Sequence, residues 1–178
     1  IQKSLAGRDV GLTLELGGKA ANIVYEDAAI DQAVEGVVNG IFFNQGHVCC
    51  AGSRLLLQES IHDQFVKKLE KRMQSLRVGN PLDKNTDIGA INSKEQLDKI
   101  TSLVNEGVED GGELFQTQCE LPGNGFWFRP SLFTNVQPSY SIAREEIFGP
   151  VLTTLTFRTP EEAIEIANNT EYLSLIHI

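Results

Sequence analysis

From Ala33 to Phe42 the apolar residues Ala33, Val34, Val37, Val38, Ile41 and Phe42 recur three and four positions apart. That spacing predicts a helix apolar over much of its surface and therefore well buried. The pattern ends near Gly46, and Ser53–Gln58 then reads as a short apolar strand. Ile61, Phe65, Leu69, Met73 and Leu76 form a second helical stripe. Ser60 is its expected N-cap, Asp63 its capping-box acid, and Lys67, Lys68, Lys71 and Arg72 lie toward the end where cations suit the helix dipole. A third stripe, Leu97, Ile100, Val104 and Val108, is opened by Ser93 with Gln96 and stopped by Gly111-Gly112. Thr159-Pro160-Glu161-Glu162 has the N-cap, proline and acid of a fourth helix start.

Between these helices lie strand patterns. Gly11–Leu16 alternates, with Thr13 and Glu15 on one face and Leu12, Leu14 and Leu16 on the other. Ala21–Tyr25, Ser131–Val136 and Val151–Phe157 also read as strands. Gly79–Gly89 is rich in turn formers, and Cys119–Ser131 is an irregular Gly/Pro segment. Strands alternating with helices predict an α/β architecture.

Composition narrows the functional classes. At 178 residues the chain can build one sizeable core. Lys plus Arg number 15 against 24 Asp plus Glu, a net charge of −9. Such a surface repels a phosphate backbone, so nucleic acid is not an expected partner. No apolar run approaches a bilayer span, so no membrane partner is expected either. Cys49, Cys50 and Cys119 form neither a disulfide framework nor a zinc pattern, which points to a reducing, cytoplasmic location. Both ends read as those of a fragment. The chain opens on Ile1, and Leu173–Ile178 follow abruptly on Tyr172. One codon choice for those six residues matches a sequencing-library transposon end, so they are expected to be a non-native tail.

Three stretches carry candidate chemistry. Cys49 and Cys50 sit at a helix-to-loop junction, followed by the small Ala51 and Gly52 that would let a substrate and backbone amides approach. Free cysteine is also among the most buried residue types, and on the pair alone two small buried thiols are the plainer reading. Glu15, a carboxylate among leucines and next to Gly17-Gly18, is a candidate base, with a solvated strand face as the alternative. Glu145–Pro150 places acids beside Phe148 and a Gly-Pro turn; an acid could hold a polar ring while the phenyl packs on it. His47 and His62 stand alone, with no spaced partner.

Taken in order, Leu14–Val24, Phe42–Arg54 and Glu145–Leu152 resemble the aldehyde dehydrogenase superfamily, over nearly the whole chain from Ile1 to about Thr170. Val34–Phe43 and Pro81–Ala90 look most like its family-sixteen branch. The resemblance implies an aldehyde-dehydrogenase-like catalytic domain over residues 18–172, preceded in 1–17 by the tail end of a Rossmann-like NAD(P)-binding domain. The family nucleophile, which follows Gly-Gln-x, falls on Cys49, although His47 stands where Gln is usual. The general base falls on Glu15, and the ribose-binding Glu and its companion Phe on Glu146 and Phe148. Gln96, Lys99 and Gly17 match further cofactor-binding positions.

The resemblance further implies NAD or NADP as cofactor, a small aldehyde as substrate, and a homo-oligomer for the full-length protein. Cys49 would form a thiohemiacetal and then a thioester, which Glu15 would hydrolyse through water. The first Gly-rich cofactor loop and the oxyanion Asn find no match in this chain, so the 178 residues alone are expected to be inactive. The alternatives are a non-catalytic scaffold of the same family and, more distantly, an acyl-transfer enzyme, in which Glu145–Pro150 would have no purpose.

Overall fold

The computed structural model describes residues 1–172, so the expected tail Leu173–Ile178 lies outside the described residues. After a short helix α1 (Gln2–Leu5), the elements run β1 (Ala21–Val24), α2 (Ile30–Phe42), β2 (Arg54–Gln58), α3 (His62–Met73), α4 (Lys94–Glu109) and β3 (Glu113–Gln116). They continue through β4 (Ser131–Thr134), α5 (Ser141–Arg144), β5 (Val151–Phe157) and α6 (Pro160–Asn168). The strands form one sheet in the order β1-β2-β5-β4-β3. All neighbours are parallel except β3, which runs antiparallel to β4 at the edge.

Helices cover both faces, as a parallel sheet requires. Leu55, Leu57, Leu132 and Leu152 point to one side and meet Val34, Val37, Val38 and Ile41 of α2 and Phe65, Leu69 and Met73 of α3. Phe133 and Val151 point to the other and meet Ile100, Leu103 and Val104 of α4 with Ile142 of α5. Leu56, Leu155 and Phe157 pack with Ala163 of α6 on that same side. The continuous burial of Leu55, Leu56 and Leu57 is what a central strand between two helical layers demands. Among the described residues no helix is long and apolar enough to cross a membrane.

Several expectations need correction. Gly11–Leu16 is not a strand: no described strand pairs with it, and a strand without a ladder partner leaves its amides unbonded. Its leucine face is not a packed face either, since Leu12 and Leu16 are 40% and 46% exposed. Ser60 does not cap α3. The chain enters that helix through a 3-10 turn, Glu59–Ile61, and the Ser60 hydroxyl donates to Glu26 instead. Val108 is exposed, because α4 turns Gly107 to the core, where a Cβ would come within 3.1 Å of both Phe133 and Ile142. The caps expected at Ser93 and Thr159 are present, each hydroxyl accepting from the backbone N–H three residues on.

Arg54 ties the layers together at the start of β2. Its guanidinium donates to the carbonyls of Lys19, Ile166 and Ala167 at 2.9, 3.0 and 2.9 Å. Lysine keeps the charge but not the planar fork. Arg54→Lys is therefore expected to lower stability by about 2–4 kcal/mol, by loss of charge-assisted bonds and stranding of buried carbonyls; urea unfolding measures this.

Candidate active site

β1, β2 and β5 are adjacent and parallel, so the segments that enter them lie side by side at one end of the sheet. These segments are Leu14–Ala20, Phe43–Ser53 and Glu145–Pro150. With the first turns of α4 they line a broad, open cleft of about 840 Å³. Glu15, Gly17, Cys49, Gln96, Lys99, Glu146 and Phe148, the residues the family resemblance points to, line it, while the other candidates Cys50 and Glu145 do not. Leu16, Asn44, His47 and Val48 line it too.

Each segment has its own reason for its shape. α2 ends at Phe42, and Asn44 and Gln45 then adopt left-handed φ of 49° and 54°. Such conformations cost side-chain-bearing residues about 1–3 kcal/mol and persist only when their surroundings enforce them. Here Asn44 donates its amide to the His47 carbonyl at 3.1 Å, and Gln45 accepts from the Gly89 N–H at 3.0 Å. Gly46, at φ +74°, lies so close to the third segment that a Cβ would sit 2.2 Å from the Gly149 carbonyl oxygen. Cys49 follows, half-buried, while its neighbour Cys50 is exposed.

The third segment is clamped from α4. Gln96 donates from its side-chain amide to the carbonyls of Ile147 and Phe148 at 2.8 and 3.0 Å, and Phe148 itself has a φ of 53°. The amide nitrogen of Gln96 is thus committed to loop backbone. The carboxylate of Glu146 accepts from the Gly18 N–H at 3.0 Å. Gly17 permits this approach, since a Cβ there would come 2.6 Å from the second Glu146 oxygen. Lys99 is exposed on the cleft rim, and Glu15 is exposed on an irregular segment, not on a strand face.

Two features were not read from the sequence. The ring of His47 stacks on Phe148, with centroids 5.4 Å apart and planes 6° from parallel. Burial pushes its imidazole below the usual histidine range, and its Nε2 is sealed without a hydrogen-bond partner. Lys19 is buried, and its Nζ also lacks a partner. Burial, reinforced by Arg54, pushes this ammonium down to about 7, against the opposing pull of Glu146 and Glu145. Lysine is so rarely buried that composition gives no warning of this. Its place directly after Gly17-Gly18 was the available signal.

The fold and cleft define an α/β protein that brings a cysteine, a glutamate and a second, backbone-held carboxylate to one opening. The aldehyde dehydrogenase family model matches residues 1–174, and the chain belongs to that family. It is 46% identical to an aldehyde dehydrogenase of Emericella nidulans, covering 90% of this chain and 32% of that protein. It is 42% identical to the betaine aldehyde dehydrogenase of Bacillus subtilis, covering 97% of this chain and 36% of that one. The crystal structure of an NAD-dependent aldehyde dehydrogenase from Sinorhizobium meliloti superposes with a TM-score of 0.88 at 44% identity, covering 95% of this chain and 34% of that one. The chain thus spans about a third of the length of these relatives.

Lys19 makes a pH dependence testable. An unfolded chain holds this proton up to the ordinary lysine value of 10.5, whereas the folded one releases it near 7. Between those values the unfolded state binds more protons, so this group makes stability rise with pH across that window and leaves it flat below. Lys19→Met should raise stability at pH 7 by about 1–4 kcal/mol and flatten the rise between pH 7 and 10. Urea unfolding at both pH values reads both effects.

Proposed function

We propose that this chain carries the nucleophile, the base and part of the cofactor site of an NAD(P)-dependent aldehyde dehydrogenase. The observation that supports this most is the meeting of Cys49, Glu15, Glu146 and Phe148 in one cleft, from segments up to 133 residues apart. Residues 1–17 are read as the end of the cofactor-binding domain and 18–172 as the catalytic domain. The exposed leucines of Gly11–Leu16 suit a segment that pairs with further strands of such a domain.

The residues present suit a dinucleotide. The Glu146 carboxylate, fixed by the Gly18 amide, can accept from ribose hydroxyls. Phe148 offers an apolar face to a planar ring, and Lys99 a cation at the rim. NAD or NADP, when bound, supplies the hydride acceptor. The chain's own residues do the rest. The Cys49 thiolate adds to the carbonyl carbon of a small aldehyde, forming a C–S bond and an alkoxide, the thiohemiacetal. The backbone N–H of Cys49 is a donor for that oxygen. With that acceptor bound and the hydride given up, Cys49 would hold the acyl group as a thioester. Glu15 then takes a proton from water, the water oxygen attacks the thioester carbon, and the C–S bond breaks to release the acid and regenerate the thiolate.

The test uses the full-length protein with NAD+ or NADP+ and a panel of aldehydes. Cys49→Ala should lower turnover by at least about 1000-fold. Glu15→Gln should slow deacylation by about 100- to 10,000-fold, leaving a stoichiometric burst of reduced cofactor and an acyl-enzyme visible by mass spectrometry. Undiminished turnover by Cys49→Ala sinks the mechanism, and an inactive wild type points to a non-catalytic scaffold. The 178-residue chain by itself should produce no reduced cofactor.

A further inference from the structure

The cleft has a wall that the proposed chemistry leaves unexplained. His47 and Phe148 come from loops about a hundred positions apart in the sequence, yet their rings lie face to face, 5.4 Å between centroids and 6° from parallel. Both rings line the cleft. An imidazole is ordinarily oriented by a hydrogen bond at one of its nitrogens. Here Nε2 is sealed and unpartnered, so among the described residues it is the face of the ring, not that nitrogen, that the fold uses. Burial favours the neutral ring, which stacks without carrying a charge out of water.

Phe148 needs such a partner. Its backbone is held at a left-handed φ by Gln96, but those bonds end at the carbonyls and leave the phenyl free to turn about its own side-chain torsions. A ring facing an open cleft would sample several orientations. The His47 plane removes that freedom and simultaneously joins the segment bearing Cys49 to the one bearing Glu146.

We propose that His47 is a positioning residue: stacked on Phe148, it holds that phenyl as a fixed wall for the planar ring of the cofactor and keeps the nucleophile loop in register with the Glu146 loop. This rests on the proposed NAD(P) site. A wall ordered beforehand spares the binding step the cost of ordering it. Gln at position 47 could still hydrogen-bond but offers no ring, and Leu offers bulk without a π-face.

The experiment measures NAD+ dissociation constants of the full-length protein by calorimetry. The variants are His47→Leu, His47→Gln, His47→Phe, Phe148→Leu and the double variant His47→Leu with Phe148→Leu. Removing the stack should weaken NAD+ binding by about two- to twelve-fold in His47→Leu and His47→Gln. His47→Phe, which restores a flat ring, should bind like wild type. In the Phe148→Leu background, His47→Leu should cause no further loss. Equal losses from His47→Leu in both backgrounds, or a loss in His47→Phe as large as in His47→Leu, would overturn the proposal. Matched thermal midpoints separate these effects from misfolding. A wild type that binds NAD+ but oxidises no aldehyde would defeat the proposed function and leave the binding comparison intact. A wild type that binds NADP+ in place of NAD+ moves the same comparison to NADP+, and one that binds neither would defeat both.

Discussion

The parallel pairing of β2 with β1 on one side and β5 on the other is the constraint on which the site depends. Parallel neighbours must be entered from the same end, and each entry requires a crossover that returns the chain to that end. α2 makes one return, and the long excursion through α3, α4, β3, β4 and α5 makes the other. The ladder fixes the starting points closely, with Ala21 opposite Arg54 and Arg54 opposite Thr153. Three segments remote in sequence therefore arrive within a few residues of one another, and the cleft is the gap between them. No contact specific to the cleft is needed to bring them there.

What the sheet does not set is the spacing between the segments at finer scale. Two glycines do that. Gly46 lets its backbone approach the Gly149 carbonyl oxygen, 2.2 Å from where a Cβ would be, and Gly149 admits the Ile100 side chain, 2.6 Å from where its own Cβ would be. Three residues with side chains, Asn44, Gln45 and Phe148, then sit at positive φ around the cleft. The strain is local, and so is what holds it: each segment borrows a hydrogen bond from outside itself, Gln45 at Gly89 and Gln96 at Ile147 and Phe148. The scaffold's stability, drawn from two apolar layers, is spent on keeping an unfavourable backbone still.

Much of this was legible in the residues. The stripes of α2, α3 and α4 are long enough that a period of 3.6 is unmistakable, and the Leu55–Leu57 run sits where a doubly covered strand must. Gly11–Leu16 misled because alternation reports a capacity to form a strand, while a strand exists only beside a partner. β3, an edge strand with no fully buried residue, has no apolar face to mark it, and α5 is a single turn. Ser60 looked like a cap because it precedes the stripe, yet the chain turns once more before the helix begins. At the cleft, residue type marked the Cys49-Cys50 pair, Glu15 and the acids Glu145 and Glu146 as candidates, and the family resemblance chose Cys49 and Glu146 among them. It could not reveal that Gln96 would face loop carbonyls, that Lys19 would be buried, or that the anomalous His47 would find a ring from the far end of the chain. Those are facts of tertiary placement, and no local pattern encodes them.

The division between glycine-set spacing and side-chain-set walls has an evolutionary corollary. Leu16, Val48 and Lys99 line the opening. They can drift without moving the segments, so the shape and polarity of the entrance can be retuned one residue at a time. Gly46 and Gly149 cannot drift, because a Cβ at the first would strike the Gly149 carbonyl and a Cβ at the second the Ile100 side chain. A mutational library aimed at new specificity would find its tolerated diversity in the first group and near-universal loss in the second. In such a design the backbone frame is inherited as a unit while the lining of the opening stays free to vary.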